Sequence, residues 1–528
     1  MNVARLRLEF AKPALAAFKS LYANDPYAFL CESLGAAGRN RFSFFGGRPT
    51  LIHRSRPSEI TIEHLATGET LADSRDLLES IRALLASTPP LPEVPPFSSG
   101  VVGYLAYDLV RRFERLPASP ADPEDLPDSV LLVPTEIVVV DHELKVTQVV
   151  IHGGEGEARL ALIREHLERS TLEPAESEGS QENVLLRERT PRAAFEAGVL
   201  AILEHIRAGD IFQGVLSQRF EADFASDPLD LYRVLRETNP SPYMYFLKLG
   251  LDHAVLGSSP EVLVSLEGTR AMTRPLAGTR PRGASQEEDA AHASELLADE
   301  KERAEHVMLV DLARNDLGRV CEYGSVRVTR QFEIERHARV MHIVSEVDGR
   351  LRPEYDALDL FRATFPAGTV SGAPKIRAME IIDSLEPVRR GLYGGAIGYI
   401  DPSGRMDLCL AIRTLVVHRG RVLLQAGAGV VADSDPAREY EETRHKAAAL
   451  VRALERCQSI SCAPQAQVEP ASAGARGSRG QSTVSPSAPA APLVTKLAQA
   501  ELTSAGAWGS GGQSTASPLG SAAPQLKK

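Results

Sequence analysis

Tryptophan is almost missing: the 528 residues hold one, Trp508, in a low-complexity stretch near the carboxyl end. The folded part of the chain is therefore expected to contain none. Cysteine is scarce and unpatterned. Cys31, Cys321, Cys409, Cys457 and Cys462 are odd in number and scattered, with no CxxC pair and no zinc-like Cys/His spacing. That excludes a disulfide framework and a structural zinc site, and favours a reduced, cytoplasmic setting. No basic block interrupts the net charge of −11, so the electrostatic attraction that nucleic-acid binding depends on is lacking. No apolar run approaches the roughly 18 residues that cross a bilayer, and the opening MNVARLRLEFAKP has no apolar signal core. A membrane-bound protein is not expected. The GxxxxGK[ST] spacing of a P-loop is absent as well.

What is present divides into two unlike regions and a tail. Residues 1–170 read as strand-rich, with β-branched runs such as Glu59–His64 and Leu131–Val140 bounded by Gly and Pro. A polar run from Ser170 to Arg187 places a linker at 171–189. Thr190-Pro191 then reads as a helix N-cap and first-turn pair. Phe195, Val199, Ile202, Leu203 and Ile206 follow as one apolar stripe, closed by Gly209. Strand and helix signals alternate through a second unit, 190–457. Residues 463–528 turn to Ala, Ser, Gly, Pro and Gln, and SAGARGSRGQSTVSPSAPAAP recurs imperfectly as SAGAWGSGGQSTASPLGSAAP. Such a segment buries too little apolar surface to offset its ordering entropy and is expected to be disordered.

Two helices carry candidate chemistry. Asp435 and Pro436 fix the start of the first as N-cap and first helical residue. Glu439, Glu442 and Lys446 then share one face, two carboxylates and an ammonium within two turns. Hard oxygen ligands one turn apart suit Mg²⁺, which takes one or two carboxylates and keeps waters or substrate oxygens. For this helix taken alone, a solvated face with a Glu442–Lys446 pair is the commoner arrangement. The second helix, Asp299–Asn315, sets Glu305 beside the apolar run Val307-Met308-Leu309-Val310. Glycine-bearing turns lie around them at Ala277-Gly278-Thr279, Ala367-Gly368-Thr369 and Gly427-Ala428-Gly429, where backbone amides can hold a carboxylate.

In order, SPE (259–261), PLAGTRPRG (275–283), AEHVMLVDLARNDLGRV (304–320), AGTVSGAPKIRAMEIID (367–383), YGGAIGYI (393–400), LAIRT (410–414), QAGAGVVADSDP (425–436) and EYEETRHKA (439–447) resemble the chorismate-utilising enzymes. The resemblance implies an α+β fold, a sandwich of two large, mainly antiparallel β-sheets flanked by helices. It implies Mg²⁺ held directly by Glu305 and Glu442, with Glu439 helping through water. It gives Glu261 the part of general acid for the departing ring hydroxyl. Tyr393, Arg413, Lys446 and the amides of Gly427, Ala428 and Gly429 would hold the enolpyruvyl carboxylate. Gly278, Thr279 and Thr369 would make wall and ring contacts, and His342 would lie near the ring at the pyruvate-elimination step.

Two positions select a reaction within the family. Water-adding members carry a lysine base where Gln213 stands, and aminodeoxychorismate synthases typically carry a lysine nucleophile where Ala277 stands. Neither glutamine nor alanine supplies that chemistry. What remains is direct attack of ammonia on ring carbon 2 of chorismate, then loss of pyruvate to give anthranilate, a step of tryptophan biosynthesis. No cysteine has the G-x-C-x-G surroundings of a glutaminase, so a separate glutamine amidotransferase subunit is expected to supply ammonia in a hetero-oligomer. Leu30-Cys31-Glu32-Ser33, Asn40-Arg41-Phe42 and Pro242-Tyr243-Met244 resemble a tryptophan-feedback site, which makes L-tryptophan the expected inhibitor through Glu32, Ser33, Arg41, Pro242, Tyr243 and Met244. The alternatives are an aminodeoxychorismate synthase and a non-catalytic tryptophan-binding or scaffold protein.

Overall fold

Two long strands, Phe42–Arg56 and Ser129–Asp141, run antiparallel along almost their whole length. They are the shared spine of two sheets, seen here in a computed structural model that describes residues 3–34, 41–91, 96–117, 119–154, 156–169, 184–337 and 339–462. Midway the register slips between Pro49 and Leu51. Arg48 has φ 49° there, and Pro49 faces Pro134, so two residues without an N–H meet where the ladder breaks. On one side of the break the neighbours are Tyr27–Glu32 and Val146–His152; on the other they are Glu59–His64 and Val101–Leu105.

The first sheet continues from Tyr27–Glu32 through Tyr243–Leu249, His253–Ser259, Thr414–His418 and Arg421–Val430 to Gln213–Asp223. The second continues from Val101–Leu105 through Ala396–Ile400, Met406–Leu410, Val262–Glu267 and Arg270–Thr273 to Val340–Arg350. Every one of these pairings is antiparallel. Strands from both sides of residues 171–189 thus share both sheets, and the chain up to Pro464 makes one compact unit. Within the stretch expected as a linker, 171–183 lies outside the described residues, and Arg187–Glu188 is a short strand on Phe220 and Glu221. The expected disordered tail, 463–528, lies outside them too.

Strand alternation gives each sheet an inner and an outer apolar face. Phe29, Tyr245, Val255 and Val416 of the first sheet pack against Val102, Ile397 and Cys409 of the second. Helices Ala14–Tyr22, Gly156–Arg169, Pro228–Thr238 and Pro436–Cys462 cover the outside of the first. Leu77–Ala86, Glu300–Gly318 and Ala357–Thr364 cover the outside of the second. Each fully buried large side chain, such as Phe29 or Phe361, contributes about 1.5–3 kcal/mol. The helix expected to open at Thr190-Pro191 runs Arg192–Arg207, one residue later: Pro191 occupies the capping position with no side-chain bond, and Thr190 is buried instead. Its stripe of Phe195, Val199, Ile202 and Leu203 is buried as expected, with Ile206 partly so. Among the described residues no helix is long and apolar enough to cross a membrane, and Cys31, Cys321, Cys409 and Cys457 are free thiols.

Candidate active site

The chain leaves strand His253–Ser259 at Pro260 and places Glu261 just before strand Val262–Glu267. Instead of standing on an exposed sheet edge, the Glu261 side chain is 6% exposed. Thr369, in the short turn Gly368–Val370, donates its hydroxyl to Glu261 Oε1 at 2.9 Å. Burial pushes the Glu261 carboxyl up to about 8, against the pull of the Thr369 bond and of the Arg413, Lys446 and Arg274 charges. A carboxylic acid in that range keeps a proton near neutral pH and can deliver it.

Beside it runs strand Arg421–Val430, whose glycines exist for close approach. A Cβ on Gly427 would sit 2.5 Å from the Tyr393 hydroxyl and 3.0 Å from the Leu216 carbonyl, and one on Gly429 would sit 2.7 Å from Gln213 Nε2. Ala428 between them is fully buried. Burial pushes the Tyr393 hydroxyl up to about 12, so it stays a donor. Arg413 holds a left-handed backbone, φ 50°. Among the described residues its guanidinium has no hydrogen-bond partner; burial lowers its pKa while Glu261 raises it. Lys446 is already engaged, donating to the Gly427 carbonyl at 3.0 Å and pairing with Glu442 at 2.7 Å.

The remaining carboxylates come from two helices. Asp299 caps Glu300–Gly318 by accepting from the Lys301 and Glu302 amides, and Asp435 caps Pro436–Cys462 by accepting from the Arg438 amide. Both helix starts follow the Asp rule that the sequence carries. Gln213 Nε2 donates to Glu305 Oε1 at 3.0 Å. Burial raises the Glu305 pKa, and Glu302 and Glu442 raise it further. Glu439 is also raised, by burial first and by Glu442 among its neighbours, whereas Lys301 and Lys446 lower it. Glu439 is the buried member, and Glu442 is about half exposed. These oxygens are the hard donors that Mg²⁺ takes, and their mutual repulsion is what a divalent cation relieves. Among the described residues no three acidic, imidazole or thiol groups approach closely enough to enclose a metal. A cation here would keep waters or substrate oxygens in its shell.

His342, inside strand Val340–Arg350, is 2% exposed. Its Nδ1 lies 2.9 Å from the Gly278 carbonyl and 3.1 Å from Thr279 Oγ1. A carbonyl only accepts, so Nδ1 carries the proton and Nε2 presents a lone pair. That Nε2 is buried without a partner among the described residues. Burial lowers the His342 pKa to about 3, with Arg413 adding to it, so the ring is neutral. Gly278 has φ +68° and abuts Glu302, and Thr279 is exposed.

The six expected tryptophan-site residues line a different space, a cavity of about 370 Å³ between the sheets. Strand alternation divides them. Glu32 faces Met244 across the ladder; its carboxylate accepts from Tyr232 at 2.8 Å and from Arg236 at 2.8 Å, and Met244 packs in the helix-covered core. Both therefore turn main chain to the cavity. Tyr243 donates to Asp407 at 3.0 Å, and Arg41 bonds Asp141 at 3.0 Å. Asn40 lies outside the described residues.

Two residues that sequence reasoning passed over join the site, Glu386 and Arg390, in the gap between the blocks 367–383 and 393–400. The signal available was only a Glu and an Arg in the run Glu386-Pro387-Val388-Arg389-Arg390, which reads as a charged loop; both are buried.

Comparison with known proteins gives the family and the fold. A family described as chorismate binding enzyme matches residues 40–452. The chain is 45% identical over 481 residues to anthranilate synthase component 1 of Mycolicibacterium smegmatis, covering 86% of this chain and 90% of that one. It is 45% identical over 446 residues to the component 1 of Thermus thermophilus, covering 84% and 95%. The crystal structure of anthranilate synthase component I from Streptococcus pneumoniae superposes with a TM-score of 0.71 at 40% identity, over 78% of this chain and 92% of that one. The menaquinone-specific isochorismate synthase of Escherichia coli shares the fold, with a TM-score of 0.64 at 19% identity over 86% of this chain and 95% of that one.

Proposed function

The chain belongs to the chorismate binding enzyme family, and from that premise we propose that it aminates chorismate at ring carbon 2 with ammonia and eliminates pyruvate to give anthranilate. The observation that carries the choice of reaction is Gln213, whose amide sits 3.0 Å from Glu305 where water-adding relatives would need a base. An amide cannot deprotonate water, and ammonia brings its own nucleophilic lone pair. Ala277 offers only a methyl where a lysine nucleophile would make aminodeoxychorismate.

The residues divide the work by charge. Arg413, Tyr393 and the amides of Gly427 to Gly429 would bind the enolpyruvyl carboxylate, with Arg413 supplying a planar fork that no other group among the described residues occupies. Lys446, held by Glu442 and the Gly427 carbonyl, adds positive charge beside it. Glu261 gives its proton to the ring 4-hydroxyl, which leaves as water while ammonia bonds to carbon 2. His342 Nε2 then accepts the carbon-2 proton as the carbon–oxygen bond to the enolpyruvyl group breaks and the ring becomes aromatic. Glu305 and Glu442, with Glu439 behind them, would hold Mg²⁺, which supplies positive charge for the ring carboxylate.

The relatives' name, component 1, points to a partner component, and the lack of a glutaminase cysteine supports reading that partner as a glutamine amidotransferase that delivers ammonia. The cavity at Ser33, Arg41 and Tyr243 supports L-tryptophan as a feedback inhibitor. The test is to incubate the purified chain with chorismate, Mg²⁺ and an ammonium salt, following anthranilate fluorescence and pyruvate. Both products, suppressed by tryptophan, are expected. An amino-deoxy product without pyruvate would replace the anthranilate reading, with mass spectrometry of the product deciding between aminodeoxyisochorismate and the folate-type aminodeoxychorismate, and no consumption of chorismate would overturn the enzymatic reading.

A further inference from the structure

Arg390 is a deeply buried cation beside the cleft, and among the expected substrate-binding side chains it meets Tyr393. Its side chain is 2% exposed and that of Glu386 4%. Nε and Nη2 form a two-pronged bond with Glu386, at 2.9 and 2.7 Å. The remaining donors go to main chain: Nη1 to the Val370 carbonyl at 2.5 Å and Nη2 to the Val215 carbonyl at 2.6 Å. The guanidinium carbon stands 4.7 Å from the Tyr107 ring centre and 5.6 Å from that of Tyr393. Glu386 accepts in turn from the Ser217 amide at 2.9 Å and hydroxyl at 2.7 Å, and Gln425 donates to that hydroxyl at 2.7 Å.

The two carbonyls are informative in their location. Val370 follows Thr369, the donor to Glu261, and Val215 lies two residues from Gln213, the donor to Glu305. Tyr393 touches the Gly427 position. One rigid, planar cation therefore ties together the turn behind the acid, the strand behind the carboxylate cluster and the tyrosine on the glycine strand. A buried ion pair is weak support for stability, because desolvation offsets much of its attraction. A fork serving three acceptors at fixed angles is well suited to fixing geometry.

We propose that Arg390, clamped by Glu386, is a positioning residue that holds Thr369 against Glu261 through the Val370 carbonyl, a role that rests on the chorismate-aminating function proposed above. Lysine at this position keeps the charge but is a point donor, which cannot serve Val370, Val215 and both Glu386 oxygens in one plane. Thr369 then loosens. The Thr369 bond lowers the Glu261 pKa, so weakening it raises that pKa further and moves the alkaline limb of activity to higher pH. The charges that also face Glu261, Arg413, Lys446 and Arg274, and the nearby Tyr393 hydroxyl, are left in place.

The experiment measures kcat and KM for chorismate, with saturating ammonium and Mg²⁺, against pH for the unmodified chain, Arg390→Lys, Thr369→Val and the double variant. Arg390→Lys is expected to lower kcat by about ten- to a hundred-fold, the scale of a slight misplacement of reacting groups, with a smaller change in KM. Its alkaline limb should shift upward as that of Thr369→Val does, and the double variant should be little worse than the poorer single one. Losses that multiply, or an unshifted limb in a folded Arg390→Lys, overturn the role. Should Arg390→Lys fail to fold, Ser217→Ala decides, since it removes one hydroxyl from Glu386: a smaller upward shift supports the clamp, and no shift overturns it. An unmodified chain that leaves chorismate untouched takes down the function itself, whereas an active one with unshifted variants takes down only the positioning role.

Discussion

Glu261 is a neighbour of the Glu305–Glu439–Glu442 group, and the pKa values of Glu261, Glu305 and Glu439 are raised in different ways. Glu261 is solitary. Burial lifts it, the Arg413, Lys446 and Arg274 charges pull the other way, and one hydroxyl steadies it. The second group is crowded: burial is again the largest cause for Glu305 and Glu439, but other carboxylates add to it. A lone acid surrounded by cations is set to hold and release a proton. A set of acids that repel one another is set to receive a cation. On the proposed reading the same side chain does opposite jobs, because one site is desolvated and the other is also congested.

The largest break in this contrast should come from Glu261→Gln. Turnover should fall by about 10²- to 10⁴-fold, the usual share of a general acid, added Mg²⁺ should restore none of it, and the residual rate should lose the alkaline fall expected near pH 8. Next comes Glu442→Gln, expected to cost about 10²- to 10³-fold at fixed Mg²⁺. Here raising Mg²⁺ should recover part of the rate, and a Mg²⁺ titration of both variants separates the two sites in one experiment. A smaller effect is expected from Gln213→Ala, which leaves the carboxylates intact but frees Glu305. The Mg²⁺ needed for half-maximal rate should rise about ten-fold or more, most clearly at acid pH, because the Gln213 bond lowers the Glu305 pKa.

The contrast can also be sharpened through stability. The folded Glu261 carboxyl titrates near 8 and its ordinary value is 4.5, so the unfolded chain loses its proton first. Stability is fully present below 4.5 and declines as pH rises toward 8, by at most about 1.4 kcal/mol per pH unit. Glu261→Gln should therefore melt higher than the unmodified chain at pH 8, and thermal melts of the two should converge near pH 4.5.

Local residues announced some of this and hid the rest. The phase of Glu439, Glu442 and Lys446 follows from Asp435 and Pro436, because capping and helical spacing act within a few residues. The strand Glu59–His64 was legible from its β-branched alternation. The burial of Glu261 was not, since it depends on Thr369 and on strands far along the chain. Glu386 and Arg390, in the Glu-Pro-Val-Arg-Arg run after helix Lys375–Leu385, carry no local sign of burial until the carbonyls of Val215 and Val370 are brought to them. The pairing of Tyr27–Glu32 with Tyr243–Leu249, which builds the first sheet, leaves no local mark at all. The blocks that resemble the chorismate-utilising enzymes pointed to the sandwich, whereas periodicity by itself indicated only strands and helices.

The shared spine of the two sheets also sets a timetable. Strand Val101–Leu105 pairs on one side with the nearby Ser129–Asp141 and on the other with Ala396–Ile400. At a synthesis rate of about 5–20 residues per second, its second edge waits about 15–60 s for a partner made about 290 residues later. Until then the nascent chain carries an apolar strand with an open ladder, the kind of edge that attracts other chains. On this arithmetic the edge of Val101–Leu105 stays open for about 15–60 s of synthesis, a cost written into the order of the strands along the chain.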